Sequence, residues 1–252
     1  MKFSHVLLTR PRPDSLELAA RLAPLGFEAI VQPAFHFLAV DAGSEQPAEM
    51  QLLADSGPDG LLVFTSPRAV EHGLPQVSRD LFSRLRVAAI GPATARALAG
   101  AGVRNVLQAA SGYTSEDLLS TLRQEAPGRS GARAFIMAAP DGRKTLARGL
   151  EELGFDSRLL MVYRAEAESL DREALVRLNE AGKVLSVWTS ANAMRALAQR
   201  FPPAAWFRVC QGEWLVTSER LARLARAYGP SAVHLASGPG NDALLTSIRN
   251  LA

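Results

Sequence analysis

One layout occurs twice along this chain, and a duplicated layout restricts the fold more than any single motif does. Leu61-Leu62-Val63-Phe64-Thr65-Ser66-Pro67-Arg68-Ala69-Val70 is echoed by Val187-Trp188-Thr189-Ser190-Ala191-Asn192-Ala193-Met194. Each is a short apolar run, then Thr-Ser, then the start of a helical pattern. Ala110-Ser111-Gly112 followed by Asp117 to Leu122 returns as Ala236-Ser237-Gly238 followed by Asp242 to Ile248. Leu22 to Phe27, ending Leu-Gly-Phe, has its partner at Leu150 to Phe155. Two similar α/β units with hydroxyl-bearing turns in matching places suggest one ligand held between two lobes.

At 252 residues the chain lies between one and two domains, and the duplication favours two. A hydrophobic fraction of 48% is ample for packed cores. Nothing approaches the ~18–20 apolar residues of a membrane span, and the N-terminus runs straight into a strand-like Val6-Leu7-Leu8, so a soluble, cytoplasmic protein without a secretory signal is expected. The single cysteine, Cys210, excludes an internal disulfide framework and reads as a small buried apolar residue rather than a nucleophile. The net charge of +3 is small. Arg220, Arg223 and Arg226 fall on neighbouring positions of one helical stretch. Such a stripe is usually a solvated face and, without interleaved aromatics, is weak evidence for nucleic acid; it would also suit a substrate carrying several carboxylates. No apolar surface stripe stands out, so a monomer is the default.

Strand and helix patterns alternate almost throughout, which argues for parallel sheets covered by helices. Strands are expected at Val6–Thr9, Glu28–Gln32, Gly60–Phe64, Arg86–Ile90, Ala134–Ala138, Ser157–Tyr163, Val184–Trp188 and Trp214–Val216. Helices are expected at Ser15–Leu25, Pro67–Gly73, Pro92–Ala101, Ser115–Gln124, Arg143–Leu153, Leu170–Ala181, Ala191–Arg200, Ser218–Tyr228 and Gly240–Asn250. Asp41–Pro47 and Ala126–Ser130 read as loops, the second lying between the copies as the naive domain boundary. Phe35–Val40 and Leu160–Ala165 are extended, alternating stretches that could instead be two crossings between lobes.

The missing motifs narrow the chemistry. There is no Gly-x-x-x-x-Gly-Lys-Ser/Thr phosphate loop, no Gly-x-Gly-x-x-Gly after the first strand and no Gly-x-Ser-x-Gly elbow. His5, His36, His72 and His234 are dispersed without metal-ligand spacing and read as ordinary surface or core histidines. Neither a metal nor an organic cofactor is expected. What remains is a set of strand-to-helix turns: Thr65-Ser66-Pro67, Gly91-Pro92-Ala93-Thr94, Thr189-Ser190 and Thr217-Ser218. Any one of them is adequately explained as a helix cap or a proline at the first helical position. As a set they lie where open α/β sheets bind ligands, beyond the carboxyl ends of the strands, with backbone N–H groups and helix dipoles suited to anions. Arg10, in Thr9-Arg10-Pro11, and Arg143, in Asp141-Gly142-Arg143, occupy corresponding ends of the first strand of each copy, from which a guanidinium can pair with a carboxylate or simply face water. Tyr163 ends a strand at a crossing and on its own reads as a packing or interface residue.

The ordered series of segments resembles uroporphyrinogen-III synthase. It runs from Thr9-Arg10-Pro11, Leu25-Gly26 and Pro33 through Phe64 to Val70, Ala89 to Ala95 and Thr114 to Leu119. It continues with Gly142-Arg143, Leu153-Gly154-Phe155, Val162-Tyr163-Arg164, Trp188-Thr189-Ser190 and Val216 to Ala222, the last resembling the proteobacterial branch. The resemblance implies two flavodoxin-like parallel-sheet lobes joined by a two-stranded linker: residues 1–36 with 168–252 in one, 39–163 in the other, linkers near 35–40 and 161–167. It implies a cofactor-independent lyase of haem biosynthesis that cyclises hydroxymethylbilane, with loss of water and inversion of ring D, to uroporphyrinogen III. The deaminase that supplies this substrate is then the one protein partner suggested, as a transient hand-over, with no nucleic acid and no membrane. Tyr163 becomes the group that hydrogen-bonds or protonates the departing hydroxyl. Thr9, Arg10, Thr65, Ser66, Gly91, Pro92, Thr94, Arg143, Thr189, Ser190, Thr217 and Ser218 become the substrate-binding set, largely through main chain. The runner-up is a non-enzymatic two-lobed binding protein for an anionic small molecule, and a nucleotide-using transferase comes third for want of a phosphate loop.

Overall fold

The structure, a computed structural model, describes residues 2–109, 114–125, 131–140 and 144–252. Its strands in chain order are β1 (His5–Leu8), β2 (Glu28–Val31), β3 (Phe35–Ala39), β4 (Leu61–Phe64), β5 (Arg86–Ala89), β6 (Val106–Gln108), β7 (Arg133–Ala138), β8 (Asp156–Met161), β9 (Tyr163–Ala167), β10 (Val184–Trp188), β11 (Glu213–Val216) and β12 (Ala232–Leu235). Helices connect them nearly everywhere, as the alternating pattern requires.

The chain divides into two compact units, residues 1–37 with 166–252 and residues 38–165. The first holds a parallel sheet in the order β12-β11-β10-β1-β2, the second a parallel sheet in the order β6-β5-β4-β7-β8. Numbered within its own unit, the first sheet runs 2-1-3-4-5, the flavodoxin-like order. The second has the same spatial order, with β7 and β8 in the places of β1 and β2. Each sheet thus takes two strands from one sequence copy and three from the other.

Both faces of each sheet are covered, so most strands are apolar along their whole length rather than alternating. Leu61-Leu62-Val63-Phe64 is fully buried. Leu62 and Phe64 meet Val87, Phe135 and Met137 on one face, while Leu61 and Val63 meet Ala88, Ile136 and Leu118 on the other. In the first unit Leu7, Trp188 and Trp214 pack beneath Met194, Val209 and Leu221, and Val6, Leu8 and Val187 face Leu18, Leu22 and Ile248. Each such fully buried aliphatic contributes roughly 1.5–3 kcal/mol.

β3 and β9 form a separate two-stranded ribbon. At one end Val40 N–H donates to Val162 C=O at 3.0 Å, at the other Glu168 N–H donates to Ala34 C=O at 3.0 Å, so numbers rise on one strand as they fall on its partner and the ribbon is antiparallel.

Several elements differ from the sequence expectation. The first helix runs Arg12–Leu22, with Pro13 in its opening turn, and continues as a 3-10 turn over Ala23–Leu25. Proline fits an opening turn without cost, so the prolines start the helix earlier instead of delaying it. Asp41–Pro47 is not a loop: Asp41 caps a short helix over Ala42–Glu45, accepting from the N–H of Gly43 and Ser44, and Pro47 opens a second over Pro47–Ala54. The long strand expected at Ser157–Tyr163 is divided at Val162 into β8 and β9. β6, β12 and the helix Pro203–Gln211 were not expected; the two strands are short edge strands whose residues are partly buried or exposed, none fully buried. The expected boundary loop Ala126–Ser130 lies outside the described residues.

Candidate functional site

The strand-to-helix turns gather at the carboxyl edges of the two sheets. In the first unit Thr9 and Arg10 follow β1, Thr189 and Ser190 follow β10, and Thr217 and Ser218 follow β11. In the second, Thr65 and Ser66 follow β4, and Gly91, Pro92 and Thr94 follow β5. Arg143 lies outside the described residues. Strand order reverses between β1 and β10 in one sheet and between β4 and β7 in the other, and crevices at such reversals are where this architecture binds ligands.

At each reversal a buried threonine ties the two diverging strands together. The Thr9 hydroxyl donates to Val187 C=O at 2.7 Å, and the Thr65 hydroxyl to Met137 C=O at 2.9 Å, with Thr65 N–H reaching the same carbonyl at 3.3 Å. Thr94, also buried, turns back to donate to Ile90 C=O at 3.0 Å. These hydroxyl protons are engaged inside the fold. Serines do the capping: Ser66 accepts from Ala69 N–H at 3.1 Å, Ser190 from Ala193 N–H at 3.3 Å and Ser218 from Leu221 N–H at 3.3 Å. Gly91 begins its helix with no side-chain cap, at φ 80° and ψ 160°, a conformation open essentially to glycine alone. The opening turn of that helix keeps backbone N–H groups that no carbonyl within the helix can reach. Thr189 and Thr217 are half-buried beside these caps.

Arg10 is held in place. Its guanidinium donates to Asn241 Oδ1 and lies 3.8 Å from Asp14, and its carbonyl accepts from the Ser15 hydroxyl at 2.8 Å. The arginine is thereby fixed at the carboxyl end of β1, its charge partly offset by Asp14.

Tyr163 is half-buried in the second unit, its phenolic oxygen 3.3 Å from the Ser66 hydroxyl. The sequence did not single out His72, yet its ring centroid lies 5.8 Å from that of Tyr163 and its Nε2 is buried without a hydrogen-bond partner. Its position, six residues beyond the Ser66 cap on the same helix, is the only hint the sequence holds. Gly73 is the adjoining close approach: a Cβ there would stand 3.2 Å from both methyls of Val162, the residue before Tyr163.

Equally unsignalled are three glutamines that brace the chain around the ribbon. Gln46 donates to Met161 C=O at 2.8 Å and accepts from Met161 N–H at 2.9 Å. Gln76 donates to Val40 C=O at 2.9 Å and accepts from Ala42 N–H at 2.8 Å. In the first unit Gln32 donates to Ser169 C=O at 3.2 Å and accepts from Asp171 N–H at 2.7 Å. Each carboxamide pairs with one backbone C=O and one backbone N–H as a peptide unit would, and the second N–H of Gln32 and of Gln76 also donates, to Pro33 C=O at 3.0 Å and His72 C=O at 2.8 Å.

Cys210 is half-buried against the core of the first unit, not buried as expected, and burial pushes its thiol up. Among the described residues no group of three or more His, Cys, Asp or Glu could hold a metal ion, and no helix is long and apolar enough to cross a membrane.

Comparison with known proteins agrees with this geometry. The sequence model of the family described as uroporphyrinogen-III synthase HemD matches residues 17–246. The uroporphyrinogen-III synthase of Salmonella typhimurium is 31% identical over 251 residues, covering 97% of this chain and 99% of the relative. That of Escherichia coli is 30% identical over 253 residues, with the same coverage. In fold, the chain is similar to a crystal structure of a mutant uroporphyrinogen III synthase from Thermus thermophilus, with TM-score 0.63, 21% identity and 98% of each chain covered. It is also similar to the synthetase of Helicobacter pylori, with TM-score 0.61, 16% identity and 98% and 99% covered. Two flavodoxin-like sheets built from exchanged halves of a duplicated sequence, matched along nearly the full length to these relatives, place the chain in the uroporphyrinogen-III synthase family, the cyclising hydro-lyases of tetrapyrrole biosynthesis.

Proposed function

We propose that this chain binds hydroxymethylbilane mainly through backbone N–H groups at the carboxyl edges of its sheets, and that Tyr163 assists departure of the terminal hydroxyl. The observation that carries this reading is the Tyr163 phenol 3.3 Å from the Ser66 hydroxyl, at the N-terminus of the helix Pro67–Gly73. A phenol there can donate a hydrogen bond to the leaving oxygen, and the positive end of the helix dipole favours negative charge developing on the phenol. The hydroxyl leaves with a proton as water, and the electron pair of the adjoining pyrrole becomes the new double bond of an azafulvene cation. The already substituted carbon of ring D attacks that cation to give a spiro-pyrrolenine, which fragments, recombines and closes with release of one proton, so that the net loss is one water. The pyrroles supply the electron push, so the protein's task is to orient ring D and to suppress head-to-tail closure to isomer I.

Acetate and propionate groups are held at the turns around Ser66, Gly91, Ser190 and Ser218, with Arg10 as a fixed cation at the end of β1. On this reading Thr9, Thr65 and Thr94 serve by shaping the turns, since their hydroxyls donate into the fold. The test supplies synthetic hydroxymethylbilane, oxidises the products and separates isomers I and III by chromatography. We predict that wild type gives isomer III without added metal or nucleotide. Tyr163→Phe should be roughly 10²-fold slower, the lower end for a lost proton-transfer group, with its melting temperature retained. Wild-type turnover in Tyr163→Phe would remove the phenol from the mechanism.

A further inference from the structure

We infer that the outer face of the helix Glu219–Arg226 is a capture surface for the polycarboxylate substrate, on which Arg220, Arg223 and Arg226 draw hydroxymethylbilane toward the turn at Thr217-Ser218. The inference rests on the function proposed above and adds to it a set of residues that do no chemistry.

The helix's own packing fixes which way these arginines face. Leu221, Ala222 and Ala225 are buried, so the opposite side of the helix carries Arg220, Arg223 and Arg226, all three turned away from the core. The single acidic residue on this helix is Glu219. Among the described residues none of the three arginines has an ion-pair or hydrogen-bond partner, a state shared by other exposed arginines such as Arg96 and Arg249, so it is their common face and not the lack of partners that sets them apart.

Helix stability accounts for part of this arrangement only. Arg223 and Arg226 lie in the last turn, where cations complement the macrodipole. Arg220 lies in the first turn, two residues beyond the Ser218 cap, where the dipole opposes a cation. Like charges three residues apart also repel by a few tenths of a kcal/mol. A helix chosen for stability alone would carry an acid or a neutral residue at position 220.

What the three cations share is a direction. The face begins at Ser218, one of the carboxyl-edge turns, and Arg226 lies about 9 Å further along the axis from Arg220. A molecule with eight carboxylates meets Arg220 two residues beyond a turn whose backbone N–H groups suit one of them. Attraction of this kind raises association rates by roughly 10- to 10³-fold and is screened over a Debye length of ~10 Å at 0.1 M salt.

The experiment measures kcat and kcat/KM for isomer III with synthetic hydroxymethylbilane between about 10 mM and 300 mM salt. The proteins are wild type, Arg220→Gln, the triple Arg→Gln variant and the triple Arg→Lys variant. At the lowest salt kcat/KM of the triple Gln variant is expected to fall about 10-fold and that of Arg220→Gln about 2- to 3-fold. Both deficits should close at the highest salt, with kcat unchanged. The triple Lys variant should stay near wild type, because steering reads charge and not guanidinium geometry. Equal kcat/KM for wild type and the Gln variants at low salt would overturn the inference. So would a deficit that persists at high salt, appears in kcat, or is shared by the Lys variant. If the triple variant fails to fold, Arg220→Gln decides the matter by the same criteria. Wild type yielding only isomer I would overturn the underlying reading, a result visible before any variant is compared.

Discussion

Replacing Gln46 by methionine tests whether one carboxamide sets the position of the strand that leads to Tyr163. β8 is an edge strand, so the outward N–H and C=O of Met161 have no neighbouring strand to pair with. Gln46, only 7% exposed, supplies both partners, at 2.9 and 2.8 Å. Methionine keeps the volume and removes both bonds. A backbone group left unpaired costs about 1–3 kcal/mol when fully sealed from water. Met161 is half-buried, so water recovers part of each bond, and the expected loss is about 2–3 kcal/mol in total. For a chain of this size that corresponds to a melting temperature lower by roughly 5–10 °C. Gln46→Glu should cost at least as much at neutral pH, because a carboxylate still accepts from Met161 N–H but sets a buried negative charge against Met161 C=O. Circular dichroism melts give the stability, and amide exchange at Met161 reports the local opening directly. Turnover should fall as well, since Tyr163 lies two residues on and its 3.3 Å approach to Ser66 depends on where Met161 is held. A Gln46→Met protein melting within about 1 °C of wild type, with Met161 exchange unchanged, would refute this account of the edge strand.

Two further predictions concern the turns and the acid limit. Gly91→Ala forces a side chain into φ 80°, ψ 160°, and should cost about 1–3 kcal/mol in a urea titration while tilting the opening turn of the helix Pro92–Gly100; an alanine variant of unchanged stability would show that the turn relaxes freely. Glu213 is subject to burial, which works to raise its carboxyl, but hydrogen bonds and charge from Lys2 and His234 outweigh this and hold it below its ordinary value of 4.5. The folded state therefore binds this proton less tightly than the unfolded chain does. Its stabilisation is complete above the ordinary carboxylate range and is lost as pH falls through the depressed value. Melts of wild type and Glu213→Gln should differ most at neutral pH and converge under acid; a gap that stays constant down to pH about 3 would assign the difference to packing instead.

The class of fold was legible because covered parallel strands leave a strong mark. Leu61 to Phe64 and Val184 to Trp188 are continuous, largely apolar runs bounded by turn residues, and the helices between them carry buried stripes such as Ala193, Met194 and Leu197. What the pattern hid was short or weakly buried. β6 and β12 are edge strands whose partly buried residues give neither a run nor an alternation. Asp41–Pro47 has the composition of a loop, yet Asp41 accepts from the N–H of Gly43 and Ser44 and so caps a short helix closed by Glu45 N–H to Asp41 C=O and Gln46 N–H to Ala42 C=O. The exchange of strands between copies is invisible for a different reason. Nothing local to Val6-Leu7-Leu8 records that β1 joins β10 and not β4.

The hydroxyl turns were legible as a group, but their division of labour was not. Thr65 and Ser66 are adjacent and chemically alike, yet successive residues leaving a strand point to opposite sides. The threonine therefore turns inward to Met137 C=O while the serine turns forward to cap Ala69. The same division holds for Ser190 and Ser218, which both cap, and for Thr9, which bonds across β10. The threonine hydroxyls donate into the fold and the serine oxygens accept, so what such a turn offers an anion is at most one serine O–H and, chiefly, backbone N–H. Every residue except proline has one, so no residue type marks the place. Gly91-Pro92 illustrates the consequence: it has no hydroxyl to cap its helix, yet it presents the same kind of opening turn at the same sheet edge as Ser66-Pro67. A site that grips carboxylates through main chain can change most of its side chains and keep its function. Overall identities of 31% and 30% to the Salmonella and Escherichia coli relatives are compatible with a grip of that kind.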